Sequence, residues 1–309
     1  MNKLAHRKVV ALAGGVGGAR LVDGLDQALP PGALRVVVNT GDDFIHWGLH
    51  ISPDLDTIMY TLAGLSPEER GWGIEGDTFH VLREASGRGL ADWFLLGDRD
   101  LVTHLSRTAA LTAGSTLTEV TDSLCRTLDV DRTILPMSDA PRPTFVVTKD
   151  GDELAFQQWL VRARAAPEVR SIRHGGSAKA TPQVLDALAE AELIVICPSN
   201  PYVSIDPILT LEGVRDALKE TVTIGVSPII GGRAVKGPLA SMIPELTGRE
   251  ASAKAVAEHY WDVLDGYAVH PGDGFEAPFP VFEKNILLRS RDDRVAFARE
   301  LLQLARSLG

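Results

Sequence analysis

The sequence predicts an α/β protein built on a mostly parallel, doubly wound sheet interrupted by a helical insertion. Short runs rich in valine and isoleucine, without polar alternation, read as strands buried on both faces: Lys8–Ala13, Leu34–Val38, Leu193–Cys197, Val222–Val226 and Phe282–Leu288. They alternate with amphipathic stretches at both ends of the chain. Between Gly64 and Thr133 the strand-like runs vanish. The core is therefore expected at residues 1–64 and 134–309, and the insertion, a candidate lid, at 65–133.

Lys8–Ala13 runs straight into Gly14, Gly15, Val16, Gly17, Gly18, Ala19 and Arg20, and then into a helix ending near Leu29. Strand, glycine loop and helix let backbone amides approach an anion, with no Cβ in the way. The spacing is neither the dinucleotide fingerprint, since Arg20 occupies its last position, nor a Walker loop. A plain tight turn is the alternative. Pro30–Gly32 ends the helix, Leu34–Val38 forms the next strand, and Asn39–Asp43 sits where a parallel sheet presents its ligand-binding edge.

The stretch from Val36 to Thr57 organises the chain, because it places four carboxylates, Asp42, Asp43, Asp54 and Asp56, behind that strand. Gathered next to a glycine loop, they suit a divalent cation held against phosphate oxygens. Taken singly, Asp42 and Asp43 would be turn residues and Asp54 a helix cap. His46 and His50 flank Trp47 near this cluster, as structural hydrogen-bonders or proton carriers.

The insertion shows helical patterns at Thr78–Ala85, Leu90–Leu96, Leu101–Thr108 and Leu117–Leu128. Its LGDRD turn carries Arg99, either in a surface ion pair or aimed at a substrate anion. Beyond it, Ile134–Asp139 leads to a hairpin around Asp150-Gly151, with Thr144–Thr148 and Leu154–Val161 as its arms. Helices are expected at Ser177–Ala191 (capped by Thr181), Leu209–Lys219, Ala251–Leu264 and Asp292–Leu308. Pro198-Ser199-Asn200-Pro201 and the glycine-rich loop carrying Lys236 end two successive strands.

Composition bounds the function. At 45% hydrophobic and 23% charged residues, the chain is ordinary for a soluble globular protein. A net charge of −10 argues against a general nucleic-acid binder but leaves room for a nucleotide ligand. The two cysteines, Cys125 and Cys197, lie far apart, so a reduced, cytoplasmic protein is expected. Glycines cut the first apolar run too early for a signal peptide, and no stretch reaches membrane-span length. There is no nucleophile elbow and no HExxH motif. From the residues alone, this is a metal-assisted enzyme acting on a phosphorylated or nucleotide-linked substrate.

The ordered set GGVGGAR, NTGDD, SPDLDT, LGDRDLVTHL, ILPMSD, CPSNP and SPIIGGRAVKGP resembles the 2-phospho-L-lactate transferase family of coenzyme F-420 biosynthesis. Each motif is weak alone; together they run in order from Gly14 to Pro238. The resemblance implies a Rossmann-like core, a homodimer, Mg²⁺, and transfer of a phospholactyl-type group from a guanosine diphosphate-linked donor to the deazaflavin Fo, releasing GMP. Lactyl, enolpyruvyl and glyceryl donors stay open. Asp42 and Asp56 would hold the metal, joined by Asp43 or Asp54. Gly14–Gly18, Asn39, Thr57, Ser199 and Asn200 would line the substrate cleft, Arg99 would reach in, and Met137–Asp139, with Ser138 and Asp139, would take guanosine. Removing Asp42 or Asp56 is expected to abolish turnover and leave the fold intact. The alternative from another class is a nucleotide-sugar-binding regulatory factor of the same fold.

Overall fold

The computed structural model describes residues 8–308. Alternate residues of Val9–Ala13 (β1) face opposite layers, Val10 and Leu12 to one and Val9, Ala11 and Ala13 to the other. A strand buried on both faces belongs inside a sheet covered by helices. The other strands of that sheet are β2 (Leu34–Val38), β3 (Thr133–Pro136), β4 (Leu193–Ile196), β5 (Thr223–Val226), β6 (Gly266–Val269) and β7 (Val281–Glu283). All seven are parallel, in the order β7-β6-β5-β4-β1-β2-β3. That is the winding of the dinucleotide-binding folds with one strand added, as the alternating pattern predicts.

One layer is built from α1 (Gly15–Ala28), α2 (Pro53–Leu62) and the closing helix Arg291–Arg306. Gly24 lets α1 meet the closing helix closely, since a methyl there would overlap the carbonyl of Arg294. The opposite layer holds the helices Pro182–Ala189, Val214–Lys219, Leu239–Thr247 and Ala253–His259. Between α2 and β3 come α3 (His80–Gly87), α4 (Asp100–Thr112) and α5 (Leu117–Thr127). No helix among the described residues is long and apolar enough to cross a membrane.

Several expected elements differ. Leu90–Leu96 contains no helix, being a loop whose Phe94 packs on Phe44 of a small hairpin, Phe44–His46 with Leu49–Ile51. The arm expected at Leu154–Val161 is a strand only at Glu153–Ala155 and then turns into a π-helical segment, Gln158–Arg162, that buries Trp159. The Asp150-Gly151 turn itself is present, with Gly151 at φ 97°. Helix Leu209–Lys219 is two pieces, Asp206–Leu209 and Val214–Lys219, separated at Gly213 with φ 81°. A third hairpin strand, Val169–His174, and β6 were not expected at all.

Candidate active-site cleft

β1 and β4 are neighbours, but the chain leaves them toward opposite layers, α1 on one side and residues Val203–Ile208 on the other. A crevice must open where the two connections part. It is a cleft of about 440 Å³, lined by the loops after β1, β2, β4 and β5 and by insertion residues such as Phe94 and Leu95.

Asn39, directly after β2, organises the floor. Its amide Nδ2 donates to Asp42 Oδ1 at 2.7 Å and to Asp54 Oδ2 at 2.9 Å, while its Oδ1 accepts from Gly41 N. Gln157 donates to the other oxygen of Asp42 at 2.8 Å, and Gly15 N to the other oxygen of Asp54 at 2.7 Å. Burial, then the neighbouring Asp54 and Asp43 carboxylates, push Asp42 well above the usual carboxylate range. Burial likewise raises Asp54, to about 6. These donors are neutral, so they orient the carboxylates without supplying a counter-charge.

Asp56 lies in a second cluster. Arg107, only 1% exposed, grips both its oxygens, with Nη1 at 3.1 Å from Oδ2. Burial opposes the charge on Arg107, but the Asp56 carboxylate outweighs it and raises the guanidinium pKa. Asp100, His104 and Arg107 project from one face of α4, the spacing expected of successive helical turns. Asp56, Asp100 and His104 each offer a ligand atom within 4.8 Å of the others. Tyr60 of α2 ties in through its hydroxyl, 2.7 Å from Asp100 Oδ1 and 2.8 Å from Thr103 Oγ1. Burial raises Asp100, yet its contact with His104 brings it below the ordinary range.

The glycine loop has a packing reason for its composition. A methyl at Gly17 would overlap the carbonyl oxygen of Pro198, and one at Gly18 would crowd Ser199 Oγ. Gly14 N donates to Ser199 Oγ at 3.1 Å, joining the β1 and β4 loops.

Of the residues expected at the site, Gly14, Gly15, Gly17, Asp42, Asp54, Asp56, Thr57, Ser199 and Asn200 line the cleft. Gly18 and Asn39 lie just behind it. Asp43 turns away to Ser52 Oγ at 2.7 Å and His50 Nε2 at 3.1 Å, which makes His50 a structural hydrogen-bonder. Arg99 is outside: its guanidinium donates to Glu75 O at 3.1 Å, and the LGDRD residue facing the cleft is Asp100. Ser138 accepts from Ala140 N at 3.1 Å within its own loop, and Asp139 accepts from Thr118 N and Oγ1 of α5, both away from the cleft lining. Arg107, His104, Tyr60 and Gln157 were not expected; the polar stripe at positions 100, 104 and 107 was the available signal.

The family model described as 2-phospho-L-lactate transferase CofD matches residues 9–272. A protein of Thermobifida fusca named phosphoenolpyruvate transferase is 44% identical over 86% of this chain and 87% of its own length. One of the same name from Streptomyces coelicolor is 41% identical over 96% of this chain and 98% of its own. Among solved structures, a Bacillus halodurans protein described as a member of the UPF0052 family superposes with a TM-score of 0.63 at 15% identity, over 96% of this chain and 100% of that one.

Proposed function

The chain belongs to the 2-phospho-L-lactate transferase CofD family, and we propose that it joins a three-carbon phosphoacid to the deazaflavin Fo in coenzyme F-420 biosynthesis. The donor in this reading is a guanosine diphosphate-linked acid, and GMP is the leaving group. Relatives named phosphoenolpyruvate transferases favour the enolpyruvyl donor over the lactyl and glyceryl ones. A cytoplasmic homodimer belongs to the same proposal and rests on the family resemblance.

The observation that carries the reading is the carboxylate floor. Asp42, Asp54 and Asp56 face the cleft, and no basic side chain among the described residues pairs with Asp42 or Asp54. Burial favours the protonated form of both instead. Oxygen donors short of positive charge fit a hard divalent cation. Asp42 and Asp54 would hold Mg²⁺; Asp56, the other ligand the resemblance implies, has both oxygens on Arg107 and would enter only by sharing one of them. When bound, the ion supplies charge neutralisation at the donor's phosphate oxygens.

The chain's own residues position the partners. Trp72, Phe94, Phe156 and Leu160 add apolar surface to the cleft lining that suits a fused aromatic ring. The terminal ribityl hydroxyl of Fo attacks the phosphorus that carries the acid. A new P–O bond forms as the bond to the GMP oxygen breaks, and the hydroxyl proton passes to a floor carboxylate. Asp54, in the cleft lining at the start of α2, is the floor carboxylate placed to take it.

Turnover with Fo, Mg²⁺ and each donor in turn, read by mass spectrometry, tests the proposal. Fo carrying one phosphoacid, with GMP released, is the expected product. Fo left intact by every donor, while a nucleotide-sugar raises the melting temperature, would replace the transferase with the binding-protein reading.

A further inference from the structure

The cleft holds two cations without a counter-ion. Asp42, Asp54, Asp56 and Asp100 line it as acids, while its arginine and lysine are Arg70 and Lys236. Arg107, behind the floor, is taken by Asp56. Among the described residues no carboxylate pairs with either Arg70 or Lys236.

Arg70 is held in place by neutral contacts. Its Nε donates to Trp72 O at 2.9 Å, and its guanidinium lies 4.5 Å from the centre of the Trp72 ring. Its two terminal nitrogens, the fork that grips carboxylates and phosphates, stay without a hydrogen-bond partner among the described residues. Lys236 comes from the loop after β5, and its Nζ makes long contacts to Glu69 O at 3.3 Å and Arg70 O at 3.5 Å. Two loops far apart in sequence thus bring both charges to one lip of the cleft. Gly71 lies so close to Val16 that a side chain there would overlap it, which seats this lip over the start of α1. The leading amide of α1, Gly15 N, already donates to Asp54. Uncompensated positive charge for a ligand anion therefore stands at the lip.

We propose that Arg70 and Lys236 form a clamp for an anionic group of the donor, a phosphate of the nucleoside diphosphate or the carboxylate of the acid it carries. The inference rests on the transferase reading and adds the residues that select a multiply charged donor. A planar fork beside a mobile point charge suits either group.

Calorimetric titration of GDP, with Mg²⁺ in excess, tests it on the wild type, Arg70→Met and Lys236→Gln. Methionine keeps an apolar stem against Trp72, and glutamine keeps a donor for the two carbonyls, so each variant removes charge and spares packing. The expected result is a Kd for GDP raised roughly tenfold or more in each variant, with a weaker dependence on salt. Arg70→Lys should recover part of it. If GDP binding holds but the KM for the acid-bearing donor rises by that factor, the clamp grips the carboxylate. Unchanged GDP affinity together with unchanged donor KM, or a rise confined to the KM for Fo, overturns the clamp alone. A wild type that does not bind GDP at all overturns the transferase reading and the clamp with it.

Discussion

Asp42 and Asp54, twelve positions apart, are hydrogen-bonded by the same amide nitrogen, Asn39 Nδ2, at 2.7 and 2.9 Å. Neither has a cationic partner among the described residues, and burial raises the pKa of both. This has a consequence for stability. Asp54 moves from an ordinary value of 3.8 to about 6 on folding. A raised carboxyl contributes its full stability below the unfolded value and loses it as pH climbs through the folded one. In chelator, the wild type should therefore lose on the order of 2 kcal/mol between pH 4 and pH 7 relative to Asp54→Asn, which has no such proton. Urea unfolding at each pH measures the difference, and parallel curves would refute it.

Asp56 and Arg107 behave as a unit. Removing one leaves a buried charge alone, at a cost of about 3–5 kcal/mol. Arg107→Met and Asp56→Asn should each show that loss in chemical denaturation, whereas Arg107→Met combined with Asp56→Leu should regain most of it. Removal of Asp56 is thus predicted to cost stability as well as turnover. Additive losses in the double variant would argue against the pairing.

Two glycines of α1 separate stability from chemistry. A methyl at Gly24 meets the carbonyl of Arg294, and one at Gly17 that of Pro198. Each alanine variant should lose about 1–3 kcal/mol to overpacking. Turnover should fall sharply only for Gly17→Ala, because only that contact borders the cleft. Melting curves and kcat, measured below both transitions, distinguish the two.

Both thiols should be silent. Burial pushes Cys125 up to about 12 and raises Cys197 as well. At pH 8 neither presents thiolate to a reagent. A disulfide reagent should therefore titrate no sulfhydryl in the native protein and two after denaturation. Fast reaction of either in the folded state would contradict the packing.

Strands buried on both faces announce themselves as unbroken apolar runs, so β1, β2, β4 and β5 were legible. β6 was not: Gly266-Tyr267-Ala268-Val269 owes its place to Tyr267 and to β5 on one side and β7 on the other, which no local pattern reports. The segment Gln158–Arg162 holds a short apolar run, Trp159-Leu160-Val161, that reads like a strand, but Trp159 is drawn into the core by a wider helical turn. In the cleft, the aspartates stood out because acidic residues crowd a strand end. Arg107 and Gln157 did not, because the sequence records neither the counter-charge nor the donor that a buried carboxylate will find across 51 or 115 residues. Arg99 drew attention as a cation in a motif, and its guanidinium closes a turn on Glu75 O.

The Asn39 amide also donates to Val203 O, at 3.3 Å, in the segment that follows β4. The nitrogen that gathers Asp42 and Asp54 is thus braced by the far half of the chain. A nascent chain released as far as residue 190 would carry the glycine loop and all four acidic residues of the Val36–Thr57 stretch, yet lack this brace. The acidic floor is complete only where β4 lies on β1 and the two halves of the sheet are one.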